Sequence, residues 1–137
     1  MTDQFQLDAS IVNDVADALI YSDRSGTITR WNRASTALFG FPADEALGQN
    51  LDLIIPEHLR GAHWKGFDAA LASGTMKLAG KPTLTRAMHK SGRKLYIEMT
   101  FALVRDKDGA VQGSAAMARD VTERVERERA AKAAQNS

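Results

Sequence analysis

The chain has 137 residues, 44% of them hydrophobic and 26% charged, with a formal net charge of +1 and no cysteine. Such a length suits one domain around a single core, and the even charge balance lacks the basic surplus of a nucleic-acid-binding surface. The missing thiol excludes disulfides, thiolate nucleophiles, cysteine-ligated zinc, haem attached through Cys-x-x-Cys-His, and flavin photochemistry that adds a thiol to the ring.

Residues 1–8 read as an N-terminal tail without the basic and apolar regions of a signal peptide. No apolar run approaches the ~20 residues that cross a bilayer, so a cytoplasmic location with no membrane partner is expected. A helix is predicted over 8–16, with Asp8 as N-cap and Ile11, Val12 and Val15 on one side. Strands follow over 18–23 and 27–31, joined by Arg24-Ser25-Gly26 in a hairpin pattern. A helix over 32–39 stops at Gly40, and a short helical turn over 43–47 is closed by Gly48. Residues 51–55 lead to Pro56, which suits the first position of a longer helix ended by Ser73-Gly74.

In that longer helix Leu59, His63, Phe67 and Leu71 follow one another at i, i+4, which stacks them on one face. Arg60, Lys65 and Asp68 fall on other faces. His63 is therefore aimed at the core or at a ligand within it, whereas His58 in the first turn faces water. Neutral imidazole is a good metal ligand and equally an ordinary core-boundary side chain.

The second half is strand-rich. A strand over 82–89 turns at Lys90-Ser91-Gly92 into a long strand over 93–104 with Leu95, Ile97, Met99, Phe101 and Leu103 on one face. A further turn, Asp106-Lys107-Asp108-Gly109, returns the chain as a last strand over 111–121. From Thr122 the chain is a charged helix with only Val121, Val125, Glu128 and Lys132 along its seam, too weakly apolar to stand alone. Ser35 and Ser114 have no His and Asp at suggestive spacing, Asp106 and Asp108 serve a turn, and no phosphate loop or His-Glu-x-x-His is present. No enzymatic activity is expected. Trp31 and Trp64 suit stacking on a flat ligand and equally suit packing.

Several pieces, taken in order, carry a family resemblance. They are Asp23-Arg24-Ser25-Gly26-Thr27-Ile28 with Trp31-Asn32-Arg33-Ala34, then Leu38-Phe39-Gly40-Phe41 and Glu45-Ala46-Leu47-Gly48. Leu53-Ile54-Ile55-Pro56, Lys90-Ser91-Gly92-Arg93 and Arg119-Asp120-Val121-Thr122-Glu123-Arg124 complete the series. Over residues 9–124 the chain resembles a PAS domain. The resemblance implies an α+β fold, a five-stranded antiparallel sheet with helices packed on one face, and a cofactor site between the two layers. It divides the chain into a tail (1–8), a PAS sensory domain (9–121) and a C-terminal signalling helix (122–137).

Ile55-Pro56-Glu57-x-x-Arg60-x-x-His63 is similar to the haem-binding branch, the FixL-type and Dos-type gas sensors. There a histidine at this point of the long helix is the proximal iron ligand, and the spacing from His63 to Ser91-Gly92 matches the Dos type. The resemblance thus implies haem b ligated by His63 and lined by Leu59, Phe67, Thr83, Ile97, Met99, Phe101 and Met117. Where those sensors carry a distal arginine or methionine, counted from Gly92, this chain has Lys81 and Thr83; Arg86 lies three residues on. The distal side is then apolar, which favours CO, NO or redox response over tight oxygen binding. Two other readings stay open: a ligand-free interaction module, or a PAS domain for another aromatic or flavin-like ligand with His63 merely lining the pocket. A homodimer through the helices at 8–16 and 122–134 is expected, with a signalling partner protein or output domain receiving the response.

Overall fold

Two-residue alternation of apolar side chains builds a five-stranded antiparallel sheet in the computed structural model, which describes residues 2–77 and 80–136. Strands β1 (Ala18–Asp23), β2 (Ile28–Trp31), β3 (Thr83–Met88), β4 (Lys94–Arg105) and β5 (Val111–Asp120) lie in the order β2-β1-β5-β4-β3. The first and last strands therefore pair in mid-sheet, from Ala18↔Ala118 to Asp23↔Gly113. Directly paired residues share a face. Through the pairs Ile20↔Ala116, Phe101↔Ala116, Met99↔Ala118 and Thr83↔Met99, one face carries Ile20, Thr83, Ile97, Met99, Phe101 and Ala118. The pairs Leu19↔Met117, Thr100↔Met117 and Arg86↔Tyr96 put those residues on the opposite, outer face.

The inner face meets the connecting helices. α2 (Arg33–Phe39) and α3 (Ala43–Ala46) contribute the fully buried Phe39 and Ala46, which join Ile20, Ile28, Leu95, Ile97 and Met99 in one core. A 3-10 turn (Leu51–Leu53) then brings Ile54 into the same core and leads into α4 (Glu57–Ser73). The expected α+β architecture is the one observed. Trp31 belongs to that core: its ring lies 5.5 Å from Phe39 and 6.5 Å from Phe41, and its indole N–H donates to the Phe41 carbonyl at 2.9 Å.

Two ends differ from expectation. Helix α1 spans Thr2–Asp14, so most of the segment read as a tail is helical; Asp3 sits in its first turn, where a carboxylate favours the helix dipole. Pro56 is the N-cap of α4 rather than its first residue, and Glu57 begins the helix. At the other terminus α5 (Thr122–Gln135) starts on β4: the Val121 amide donates to the Tyr96 carbonyl, and the Tyr96 amide donates to the Thr122 hydroxyl, both at 2.9 Å.

Asn32 ties three elements together. Buried at 2% exposure, it caps α2 by accepting from the Ser35 amide at 3.0 Å, and it accepts from the Leu19 amide of β1 at 2.9 Å. Its amide nitrogen donates to the Val12 carbonyl of α1 (2.9 Å) and to the Asp17 carbonyl (3.0 Å). An Asn32→Ala variant loses the cap and strands a buried amide, a cost of about 2–4 kcal/mol. Urea unfolding measures it; a loss below about 1 kcal/mol would mean that water replaces the side chain.

Candidate functional site

Helix α4 is fixed at both ends. At its start the Met88 amide of β3 donates to the Ile54 carbonyl (2.9 Å), while Arg60 donates to the carbonyls of Ile55 (3.0 Å) and Asp52 (3.2 Å). At its end Gly74 adopts φ +71°, donates to the Ala70 carbonyl, and accepts from the Arg105 guanidinium of β4. The helix therefore runs beside the sheet from the Met88 end of β3 to the Arg105 end of β4. Midway, the Trp64 indole donates to Asp52 Oδ1 at 2.7 Å and lies over Gly26, where φ is +83° and any Cβ would collide with the ring. That contact is why the β1–β2 turn needs glycine at this point.

His63 stands inside an aromatic cluster. Its ring centroid lies 4.7 Å from Trp64, edge-on, and 5.9 Å from Phe67; Trp64 and Phe67 are 5.1 Å apart. Nδ1 is buried and has no hydrogen-bond partner among the described residues. Burial pushes the His63 pKa below the ordinary histidine value of 6.5, against weaker opposing pulls from Asp52 and Asp68. The imidazole is thus neutral at pH 7, the protonation state in which it ligates metal.

Leu59, His63, Phe67 and Leu71 are all half-buried, so the stripe faces inward without being sealed. On the sheet side Ile97 and Met99 are buried on the inner face, Phe101 packs against the same core, and Thr83 sits opposite Met99. The Thr83 hydroxyl donates to the Lys81 carbonyl at 3.3 Å. Met117 is a correction. It pairs with Thr100 and Leu19 and so projects from the outer face, away from His63, because β5 alternates in register with β1 and β4. Arg86 also faces outward, its guanidinium 5.8 Å from the centroid of the Tyr96 ring, and so does not stand over the inner wall.

The other histidines differ from His63. His58 is exposed, and His89 Nδ1 accepts from the Ser91 amide at 3.1 Å beside the Gly40 cap of α2. Ser22 Oγ, on the inner face of β1, is the other buried side-chain polar atom without a partner among the described residues. The sequence pattern also did not mark an apolar groove of about 650 Å³ on the outer face, with Leu19, Thr100, Ala102, Ala115 and Met117 in its wall. No local signal marks it, since it exists only once β1, β5 and β4 are paired.

A family model for the PAS fold matches residues 12–126. The chain belongs to the PAS family. As a PAS domain it is a sensory, signal-transducing module. It is 30% identical over 125 residues, 90% of its length, to an uncharacterised protein of Azorhizobium caulinodans. A shorter stretch, 54 residues covering 39% of the chain, is 39% identical to the sensor protein FixL of Bradyrhizobium diazoefficiens. The chain spans 16% and 11% of those two relatives. Its fold superposes on an RNA-binding Light-Oxygen-Voltage receptor with a TM-score of 0.72 at 25% identity, over 96% of this chain and 37% of that one. Among the described residues no helix is long and apolar enough to cross a membrane, and no three or more His, Asp and Glu side chains form a group that could hold a metal ion.

The buried imidazole makes stability depend on pH. The unfolded chain binds a proton at this site near 6.5, the folded protein only at lower pH, so stability is lost as pH falls below 6.5. Unfolding curves above and below that value should show a smaller acid loss for His63→Leu than for the wild type. Equal losses would mean that His63 is as accessible to protons in the folded domain as in the unfolded chain.

Proposed function

We propose that this PAS domain senses through haem b held by His63, between α4 and the inner face of β4. The observation that carries this reading is the neutral imidazole on the inward stripe of α4, with a buried ring nitrogen that no atom of the described residues satisfies. Haem would bring its own nitrogen ligands to the iron, so the protein would need to supply only the His63 imidazole and apolar lining. The residues fit that demand: Leu59 and Phe67 flank His63 along the helix, and Ile97, Met99 and Phe101 form a wall without charge. The partial match to the sensor protein FixL supports the same reading. When bound, the group supplies gas- or redox-sensitive iron chemistry.

The chain's own residues then bind and transmit. His63 fixes the ligand to α4, while Arg86 stands on the outer face and Thr83 brings only a hydroxyl to the inner one. A ligand that favours one arrangement of Ile97 and Met99 biases Tyr96 and Glu98 on the reverse of the same strand. Those two hold α5: the Arg129 guanidinium lies 4.8 Å from the Tyr96 ring centroid, Arg124 approaches Glu98 at 3.7 Å, and Val125 is buried. The response leaves the domain through α5 toward a signalling partner or output domain. The likeness to a Light-Oxygen-Voltage receptor supports a second reading, a flavin-like ligand in the same slot, bound without thiol chemistry because the chain has no cysteine.

Titration of the purified protein with haemin should give a saturable one-to-one complex with a Soret band. His63→Ala should abolish or grossly alter the band, and His58→Ala and His89→Ala should leave it unchanged. Equal loss in either control would assign ligation to another imidazole. No saturable uptake would overturn the haem reading, and flavin absorption in the isolated protein would replace it with the second.

A further inference from the structure

The inner face of the sheet, which forms one wall of the slot beside α4, changes character from row to row. Directly paired residues define the rows. Ala18, Ala118, Met99 and Thr83 form one, and Ile20, Ala116 and Phe101 form the next. Both are apolar apart from Thr83, whose hydroxyl donates to the Lys81 carbonyl. The third row is Ile28, Ser22, Ser114 and Leu103, so β1 and β5 set two serines side by side. Ser22 is 1% exposed, and its Oγ has no partner among the described residues, the neighbouring Ser114 included. Ser35, equally buried, shows the usual arrangement: its hydroxyl donates to the Leu19 carbonyl at 3.0 Å. We propose that the Ser22–Ser114 hydroxyl pair is the carboxylate subsite of the slot, receiving a side-chain carboxylate of the ligand that His63 holds. The inference rests on the haem reading above, because haem b carries two such carboxylates on an otherwise hydrocarbon rim.

The serine row lies where the second half of α4 meets the sheet. At its β1 end the chain passes from Ser22 into the turn whose Gly26 lies under the Trp64 ring, and Trp64 is in contact with both His63 and Phe67. At its β4 end Leu103 stands two residues before Arg105, whose guanidinium holds the Gly74 carbonyl at the exit of α4. The row therefore runs between the two points that fasten this half of the helix. Ser22 Oγ and His63 Nδ1 are the two buried side-chain polar atoms without partners among the described residues, one on each wall of the slot.

Exposure and charge favour an anionic group at this row and a hydrocarbon edge elsewhere. Ala18, Ala118 and Met99 are buried, whereas Ser114 and Leu103 are half-buried, so water reaches the slot from the serine end. A carboxylate placed there keeps part of its hydration and accepts from two hydroxyls, and hydrogen bonds to an ionised acceptor are the strong ones. At the same end of the sheet Arg24 donates to the Val111 carbonyl at 2.9 Å and Arg105 to the Gly74 and Gly109 carbonyls. Neither guanidinium meets a carboxylate among the described residues. The Asp23 carboxylate turns into its own loop, onto the Ser25 and Thr27 amides, and leaves the row free of competing negative charge.

Titration of the full chain with haemin and with haemin dimethyl ester, followed by the Soret band, tests the subsite. The ester keeps the iron and the ring and lacks the two carboxylates. Wild-type protein should bind haemin at least about ten-fold more tightly than the ester. Ser22→Ala combined with Ser114→Ala should erase that preference by weakening haemin and leaving the ester unchanged. A separate readout, the unfolding midpoint of the ligand-free protein, distinguishes a binding hydroxyl from a structural one. Ser22→Ala should keep or raise the midpoint because its hydroxyl bonds nothing, whereas Ser35→Ala should lower it and retain the haemin preference. Equal affinity for the two ligands, or a preference that survives in the double variant, would overturn the subsite and leave the haem reading standing. A midpoint lowered by Ser22→Ala as much as by Ser35→Ala would overturn it too, by assigning the hydroxyl to the fold. Uptake of neither ligand would overturn both readings.

Discussion

The two-residue alternation of β4 is the constraint on which the other features depend. Every second side chain of Lys94–Arg105 is committed to one face, so Leu95, Ile97, Met99 and Phe101 build the inner wall while Tyr96, Glu98, Thr100 and Ala102 build the outer surface. One strand thereby serves three regions. Its inner residues join Phe39, Ala46 and Ile54 in the core, its first outer residues anchor α5, and its later outer residues wall the groove. A slip of one residue would exchange all three at once. The burial of Leu95 and Ile97 at 0% and 1% exposure is what makes such a slip costly.

Against that rigid wall, α4 is held by its ends rather than by a sealed face. The Ile54–Met88 bond, the Arg60 contacts and the Trp64–Asp52 bond secure its first half, and the Arg105–Gly74 bond secures its exit. Between these points Leu59, His63, Phe67 and Leu71 remain half-buried. Burying an imidazole nitrogen without a partner costs on the order of 1–3 kcal/mol. Under the proposed reading, a ligand that satisfies that nitrogen would recover the cost. Ser22 Oγ adds a second unsatisfied group on the inner face.

Much of this was legible in the chain. The alternation of residues 93–104, the Gly26, Gly40, Gly92 and Gly109 turns and the i, i+4 stripe through His63 locate the strands and the site helix because each is a local signal. The face of Met117 was not legible. β5 reads Gly113-Ser114-Ala115-Ala116, small on both sides, so its orientation is set by pairing with β1 and β4 and not by its own pattern. The start of α1 was hidden for a related reason: Gln4, Phe5, Gln6 and Leu7 show no stripe that the domain itself buries. The capping role of Pro56 lies within the ordinary ambiguity of helix ends.

The two-sided role of β4 is tested most directly by native-state amide exchange in α5 after truncating one inner-face residue. Ile97→Ala and Ile28→Ala remove equivalent, almost fully buried side chains at about 2–5 kcal/mol each, but only the first lies on β4. If the strand couples its faces, Ile97→Ala should accelerate exchange at Val121 and Val125 well beyond what Ile28→Ala does at matched global stability. Equal acceleration in the two variants would contradict the account, because α5 would then respond to the stability of the core and not to the inner face of β4.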